Sequence, residues 1–257
     1  MNKTTEMTAF VSEIFSSAQG EGLNIGRRQL FVRFGGCHRH CLYCDTVVEL
    51  TPQILIETDP GSGVFTNEPN PVSCERLLHL VGGMNRPEFA HDDLFLTGGE
   101  PLLHADFLTA FLPEAKKTFG LPVHLETSGD LPGPFSKVTP WIDHVLMDFK
   151  LPSVTGEPPA WDKHAKFLNL IETAHIGATL KLVVGADTTE DDLNLAAKII
   201  ADSGTKADVV LQPMTAASKT DRVPTARQVL AWQSKMAGMI GRSVRVIPQC
   251  HKMMGLL

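Results

Sequence analysis

Short apolar runs alternate along the chain with longer segments whose apolar residues recur every three or four positions. The runs at 9–15, 30–34, 93–96, 123–126, 144–148, 179–184, 209–212 and 244–247 are mostly rich in Val, Leu and Phe, the pattern of buried strands. The amphipathic segments at 74–81, 105–119, 161–174, 190–202 and 225–238 predict helices. Ser73 stands where a cap would open the first, and Gly120, Gly177 and Gly204 follow the next three. This alternation predicts an α/β fold with a mostly parallel sheet, each helix crossing over to the next strand. Two stretches break the rhythm. Residues 51–71, with Asp59-Pro60-Gly61-Ser62-Gly63 and Pro69-Asn70-Pro71, read as a long loop with room for a short strand or turn, and 151–159 as a second Pro- and Gly-bearing loop. No linker separates two sets of strands, so one domain over 1–257 is expected, with a loop insertion at about 47–72.

Composition narrows the class. With 257 residues, 43% hydrophobic and 20% charged, the chain is an ordinary globular one, and disorder, collagen and membrane classes drop out. No apolar run reaches the roughly 18 residues of a spanning helix, and Met1-Asn2-Lys3-Thr4-Thr5-Glu6 has no leader-like apolar stretch, so a cytoplasmic protein is expected. With 23 basic against 29 acidic residues there is no general footprint for nucleic acid. Five cysteines, an odd count, argue against a disulfide framework. Cys74 and Cys250 stand alone and read as small packing residues, as does the apolar tail Met253-Met254-Gly255-Leu256-Leu257.

Cys37, Cys41 and Cys44 are different. They follow the strand-like Phe31-Val32-Arg33-Phe34 and a Gly35-Gly36 pair, with Cys-x3-Cys-x2-Cys spacing. Thiolates so spaced can converge on one metal centre if the loop wraps around it, and the glycines free the backbone to curl. An electron-transferring cubane normally takes four cysteines, so three suggest an iron left open. The alternative is structural zinc, with His38 or His40 completing a Cys3His site. Further polar motifs fall at the C-terminal ends of predicted strands, where α/β barrels build their active sites. They are Thr97-Gly98-Gly99-Glu100-Pro101, Glu126-Thr127-Ser128-Gly129, Asp148-Phe149-Lys150 and Gln212-Pro213-Met214-Thr215. Singly, each could be a turn, a cap or a solvated pair.

The cysteine loop, with Tyr43 before its last cysteine, resembles the signature of the radical S-adenosylmethionine (SAM) superfamily. The resemblance implies a partial (β/α) TIM-like barrel in which Cys37, Cys41 and Cys44 hold a [4Fe–4S] cluster and SAM chelates the fourth iron. Reductive cleavage of SAM would then yield a 5′-deoxyadenosyl radical. Gly98, Gly99 and Glu100 match the motif that binds the SAM amino group, and Tyr43, Cys44, Asp45, Asp148, Phe149, Lys150, Gln212, Pro213, Met214 and Thr215 are SAM contacts by position.

Three further segments, Ser12-Glu13-Ile14-Phe15-Ser16-Ser17-Ala18-Gln19-Gly20-Glu21-Gly22, Gly26-Arg27-Arg28-Gln29-Leu30-Phe31-Val32-Arg33-Phe34 and Cys44-Asp45-Thr46, resemble the 7-carboxy-7-deazaguanine synthase family. The likeness runs on to Arg245-Val246-Ile247-Pro248-Gln249-Cys250-His251-Lys252. It implies a carbon–nitrogen lyase that converts 6-carboxy-5,6,7,8-tetrahydropterin to 7-carboxy-7-deazaguanine with loss of ammonia, toward queuosine and related deazapurines. It also implies Mg2+ beside the cluster and SAM, a homodimer, and a flavodoxin- or ferredoxin-type reductant. The backbone of Ala18, Gln19 and Gly20 could approach a pterin closely, and Arg33 could bind its carboxylate bidentately. Thr97 and Glu126 are further substrate candidates, Thr46 matches the Mg2+ ligand with Asp45 as an acceptor beside it, and His251 and Lys252 lie in a tail that could fold over the substrate. His38-Arg39-His40 departs from the family pattern and adds charge beside the cluster, which could tune its potential or dock a reductant. The competing readings are a glycyl-radical-enzyme activase, a paralogue acting on another heterocycle, and a zinc-binding interaction domain.

Overall fold

The computed structural model describes residues 7–216 and 222–256. Its strands are β1 (Thr8–Ala9), β2 (Val11–Ala18), β3 (Arg28–Phe34), β4 (Gln53–Glu57), β5 (Phe65–Pro69), β6 (Val72–Ser73), β7 (Asp93–Gly98), β8 (Val123–Thr127), β9 (His144–Asp148), β10 (Gly177–Val184), β11 (Asp208–Pro213) and β12 (Val244–Val246). The helices are α1 (Cys74–Met84), α2 (Ala105–Phe119), α3 (Pro132–Val138), α4 (Pro152–Thr155), α5 (Trp161–Thr173), α6 (Glu190–Asp202), α7 (Ala226–Ile240) and α8 (Cys250–Met254). Ten strands form one sheet in the order β12-β11-β10-β9-β8-β7-β3-β2-β4-β5, with β12 and β5 as open ends. From β3 through β7 to β12 every pairing is parallel. The sheet is a partial barrel.

Alternation along the barrel strands sorts side chains between two environments. Leu30, Val32 and Phe34 of β3, Leu94 and Leu96 of β7, and Leu180 and Leu182 of β10 are buried in the main core. The intervening Phe31, Phe95 and Leu146 form a separate cluster with Phe15, whose ring stacks on Phe31 at 4.8 Å. Helix α2 shows what secures the outer layer: Phe107, Leu108, Phe111, Leu112 and Ala115 are all buried. Each of its large side chains contributes roughly 1.5–3 kcal/mol of burial. Gly120 ends the helix at φ 65°. Ser73 caps α1 by accepting from the Arg76 N–H, and α7 opens with a reciprocal Thr225–Gln228 capping box.

Three expectations are corrected. Residues 51–71 are not a loop: β4 and β5 form a hairpin that extends the sheet beyond β2. Ile54 and Ile56 are buried while Leu55 is exposed, so the segment is a half-buried strand whose short alternation was masked by Pro and Gly on either side. Asn70 pins it to β2 through its side-chain bonds to the Val11 N–H and C=O. Next, β2 and β3 pair antiparallel, because the connection between them is too short for a crossover helix. A helix outside the expected set, α3, begins Pro132-Gly133-Pro134; its first proline sits where no helical N–H is needed, and Phe135 and Val138 are buried. Finally, 151–159 contains the short helix α4, closed by Gly156 at φ 72°. Among the described residues no helix is long and apolar enough to cross a membrane.

Candidate active site

The inward-facing positions at the strand ends open into a cavity of about 710 Å3. Within a strand, the residue two positions beyond an apolar floor residue is polar: Arg33 after Phe31, Thr97 after Phe95, Asp148 after Leu146. Register brings these together, with Arg33 opposite Thr97 and Lys181 opposite Asp148.

Cys37, Cys41 and Cys44 all line this cavity, the first two half-buried and the third exposed. Their loop is fixed at its start by main-chain bonds. Gly36 donates to the Val48 carbonyl, and the Gly36 carbonyl accepts from the Glu100 N–H at 2.9 Å. A Cβ on Gly99 would overlap the Gly36 carbonyl oxygen, so glycine is what lets the end of β7 lie against the cysteine loop. Among the described residues, no three or more His, Cys, Asp or Glu side chains gather around a single-ion position. His38, the candidate fourth zinc ligand, pairs with Asp130 at 2.9 Å, and that bond, with one to Cys37, raises its pKa to about 9. His40 is exposed. The charge at 38–40 is therefore largely spent on Asp130, which also takes Arg39 Nε at 2.9 Å.

Of the expected SAM contacts, Tyr43, Cys44, Asp45, Gly98, Gly99, Asp148, Lys150, Gln212, Met214 and Thr215 line the cavity, whereas Glu100, Phe149 and Pro213 do not. The Glu100 carboxylate faces into the protein and accepts from Leu102 N, Thr127 Oγ1 and the N–H and hydroxyl of Ser128. Burial nonetheless pushes its pKa up. Phe149 is fully buried against His164 and Trp161, and Pro213 is held in the β11 ladder. Lys150 bonds Asp148 at 2.8 Å and the Tyr43 hydroxyl at 3.1 Å. Among the described residues, two buried acceptors on the cavity wall, Asp148 Oδ1 and Gln212 Oε1, have no partner. Unpaired buried acceptors of this kind await donors from a ligand. Together with the thiols and the cavity's size they fit a cluster and a nucleoside-bearing cofactor.

Ala18, Gln19, Gly20, Arg33, Thr97 and Glu126 all line the cavity too. The backbone of Gln19 is less available than expected: its N–H donates to Arg27 O, its carbonyl accepts from Gly26 N, and its side chain pairs with Gln29 and the Glu21 N–H. The Gly20 carbonyl takes the Cys250 N–H. Arg33 is held by Glu13 at 2.7 Å and lies over the Phe15 ring, with the rest of its guanidinium edge facing the cavity. Thr97 donates to Glu126 at 2.8 Å, and Glu126 accepts from Lys181 at 2.6 Å. Thr46 is on the lining, but the Asp45 carboxylate is taken by Lys252 at 2.5 Å rather than standing free beside it.

Sequence reasoning missed several residues here. Lys181, buried in the middle of an apolar strand, also bonds Glu21 at 2.5 Å, and Gln249 holds the other Glu21 oxygen at 2.9 Å. A lone lysine in a buried run was a usable signal, since an unpaired buried ammonium is costly. The tail does fold over the site: α8 brings Gln249, His251, Lys252 and Leu256 to the cavity wall. Met253 and Met254, expected to pack, are exposed.

A family model for the Radical SAM superfamily matches residues 31–150. A 7-carboxy-7-deazaguanine synthase of Geobacter sulfurreducens is 39% identical over 251 residues, covering 97% of this chain and 98% of the relative. The corresponding enzyme of Methanothermobacter thermautotrophicus is 31% identical over 97% of this chain and 98% of its own length. Among solved structures, QueE from Escherichia coli superposes with a TM-score of 0.60 at 22% identity over 95% of both chains. A radical SAM methyltransferase of Sphaerobacter thermophilus gives 0.61 at 14% identity over 86% of this chain and 66% of its own. Those two likenesses establish the fold, the partial barrel of radical SAM enzymes. Near-full-length identity to named synthases goes further, and places this chain in the 7-carboxy-7-deazaguanine synthase family of radical SAM enzymes.

Proposed function

We infer that this chain converts 6-carboxy-5,6,7,8-tetrahydropterin to 7-carboxy-7-deazaguanine, releasing ammonia, as a step toward queuosine or a related deazapurine. The observation that carries the reading is one cavity in which three free thiols share a wall with the Arg33, Glu126 and Lys181 side chains. Membership in the radical SAM family implies a [4Fe–4S] cluster and SAM. When bound, the pair supplies a 5′-deoxyadenosyl radical that abstracts hydrogen from the substrate. Cys37, Cys41 and Cys44 would hold the cluster, and Gly98, Gly99, Asp148 and Gln212 would bind and orient SAM.

The protein's own groups account for substrate recognition. Arg33, with Glu13 fixing one nitrogen, offers its remaining donors to a carboxylate. Glu126, oriented by Thr97 and Lys181, can accept from the guanidine-like N–H groups of a pterin. His251 and Leu256 close the cavity over the ring. Thr46 would give Mg2+ one hydroxyl, the substrate carboxylate and water supplying the rest, so the ion binds fully only with substrate. A single radical SAM domain over 1–257, a homodimer, a flavodoxin- or ferredoxin-type reductant and a cytoplasmic location belong to the same proposal.

The test is anaerobic, reconstituted and reduced protein given SAM, Mg2+ and the carboxytetrahydropterin, with products followed by mass spectrometry. Carboxydeazaguanine is expected. SAM cleavage without that product would leave the radical chemistry and remove the substrate; colourless protein holding one zinc would remove both.

A further inference from the structure

Between Cys37 and Cys41 the loop carries two cationic side chains that converge on one buried carboxylate. Asp130, 2% exposed, lies just beyond β8. Its Oδ2 accepts from Nε and a terminal nitrogen of Arg39, both at 2.9 Å, and His38 Nε2 sits 2.9 and 3.0 Å from the two oxygens. Arg39 is itself 8% exposed, an unusual degree of burial for a guanidinium, and one it tolerates only because it is paired. The Ser128 hydroxyl reaches Asp130 at 2.5 Å and Glu100 at 2.7 Å, and the Glu100 N–H holds the Gly36 carbonyl. Asp130 thus joins the cysteine loop to the same buried network that fixes the glycine pair before Cys37. Other supports of the loop beyond that pair are main-chain ones: the His40 N–H bonds Glu157, and the Leu42 N–H bonds the carbonyl of the buried Thr155.

We propose that Asp130 is a positioning residue that, through Arg39 and His38, holds the Cys37–Cys41 segment in its ligating conformation before any cluster is present. A free eight-residue span with three thiols would sample many conformations, and affinity for a cluster falls by the fraction of the time it is correctly arranged. The pairing also anchors the residue whose backbone N–H donates to Cys37 Sγ, 3.4 Å away, so the same carboxylate supports a hydrogen bond to a cluster-ligating sulfur. The inference concerns cluster acquisition and stands whichever substrate the enzyme takes.

The experiment compares wild type with Asp130→Asn, Arg39→Gln and Arg39→Lys. Each apo-protein is reconstituted anaerobically with limiting ferrous iron and sulfide. Iron per chain and the rise of the cluster absorbance are followed, the reduced cluster is examined by electron paramagnetic resonance, and the apo-proteins are melted in parallel. Asp130→Asn and Arg39→Gln are expected to acquire cluster about tenfold more slowly, as removal of one partner of a buried charged hydrogen bond implies. Their residual signal should have shifted g-values, and the slowing should persist at temperatures well below each apo-protein's melting point, where every variant is folded. Arg39→Lys, which keeps the charge and loses the fork, should recover part of the rate. Wild-type loading by both Asp130→Asn and Arg39→Gln would overturn the proposal. So would loading that falls only in step with apo-protein melting, because Asp130 would then serve the fold and not the loop.

Discussion

Replacing Lys181 by Met removes one charge from the centre of the cavity and keeps most of the side-chain volume. Lys181 is 3% exposed and lies 2.5 Å from Glu21, 2.6 Å from Glu126 and 3.4 Å from Asp148. Burial alone would push its ammonium toward neutrality, but Glu126, Glu21 and Asp148 outweigh burial and hold its pKa well above the ordinary lysine range. The converse applies to the carboxylates. Burial would raise Glu21 and Asp148, yet Lys181 for the first, and Lys150 with Lys181 for the second, keep both below their usual values. A carboxylate depressed in the folded state stabilises the fold above its unfolded pKa of about 4 and loses that contribution only as pH falls through the folded value. In Lys181→Met Glu21 loses its cationic counterweight while Asp148 keeps Lys150, so the pKa of Glu21 rises most and the variant is most penalised where that carboxylate is ionised. Breaking a buried pair costs about 3–5 kcal/mol. Glu21 and Glu126 keep 13% and 24% side-chain exposure, which argues for the lower end. About 3 kcal/mol in a chain of this size corresponds to a melting point roughly 6–12 °C below wild type at pH 8. Thermal melts of the two apo-proteins from pH 8 to pH 5 should show the gap narrowing as the variant's carboxylates take up protons. A gap of the same size at both ends would mean that packing, not charge, was lost, and would refute the reasoning.

Other substitutions separate the parts of the site. Cys41→Ala should abolish both iron binding at the cluster stoichiometry and SAM cleavage, read by iron analysis and 5′-deoxyadenosine release. Arg33→Ala should impair product formation while leaving slow uncoupled SAM cleavage; equal loss of both would contradict its role as a carboxylate clamp. Gly99→Ala drives a methyl group into the Gly36 carbonyl, an overpacking of about 1–3 kcal/mol or more, and should lower the apo melting point and cluster content together. In Gly20→Ala the new methyl meets His251 and displaces the tail. With overpacking of about 1–3 kcal/mol to relieve there, KM for substrate should rise by roughly tenfold or more while SAM cleavage without substrate is unchanged.

Much of the barrel was legible because its strands are short and its helices are long and amphipathic. The run at 144–148 is β9 to the residue, and 190–202 is α6 with Thr189 as its cap. The β4–β5 hairpin was not legible, since five-residue half-exposed strands between prolines look like turns until β2 supplies a partner. The cysteine triplet could be read because its three ligands are local in sequence. Lys181 and Asp130 could not be read in the same way: Lys181 meets Glu21 across 160 residues, and Arg39 meets Asp130 across 91. No local spacing encodes a pair so distant.

The barrel nevertheless leaves a trace of these residues in the sequence, and it is a period of two. In β3, β7 and β9 the outward positions Leu30, Val32, Phe34, Leu94, Leu96, Val145 and Met147 are apolar core residues, while each inward face runs from a polar residue (Gln29, Asp93 or His144) through an apolar one to a polar one at the C-terminal end. Phe31 is followed by Arg33, Phe95 by Thr97, Leu146 by Asp148. Parallel pairing sets Phe31 against Phe95 and Arg33 against Thr97, but Phe95 against His124 and Leu146 against Glu126, so the apolar level steps by two residues between β7 and β9 instead of forming a level ring. In β10 the inward positions run from Thr179 to Lys181 and then Val183. Its ammonium falls at the height of Asp148 and within reach of Glu126, so the charge lands among carboxylates from two neighbouring strands. A lone charged residue on the inward face of a buried, largely apolar strand is therefore the physical mark of a site wall, since only a paired charge survives there.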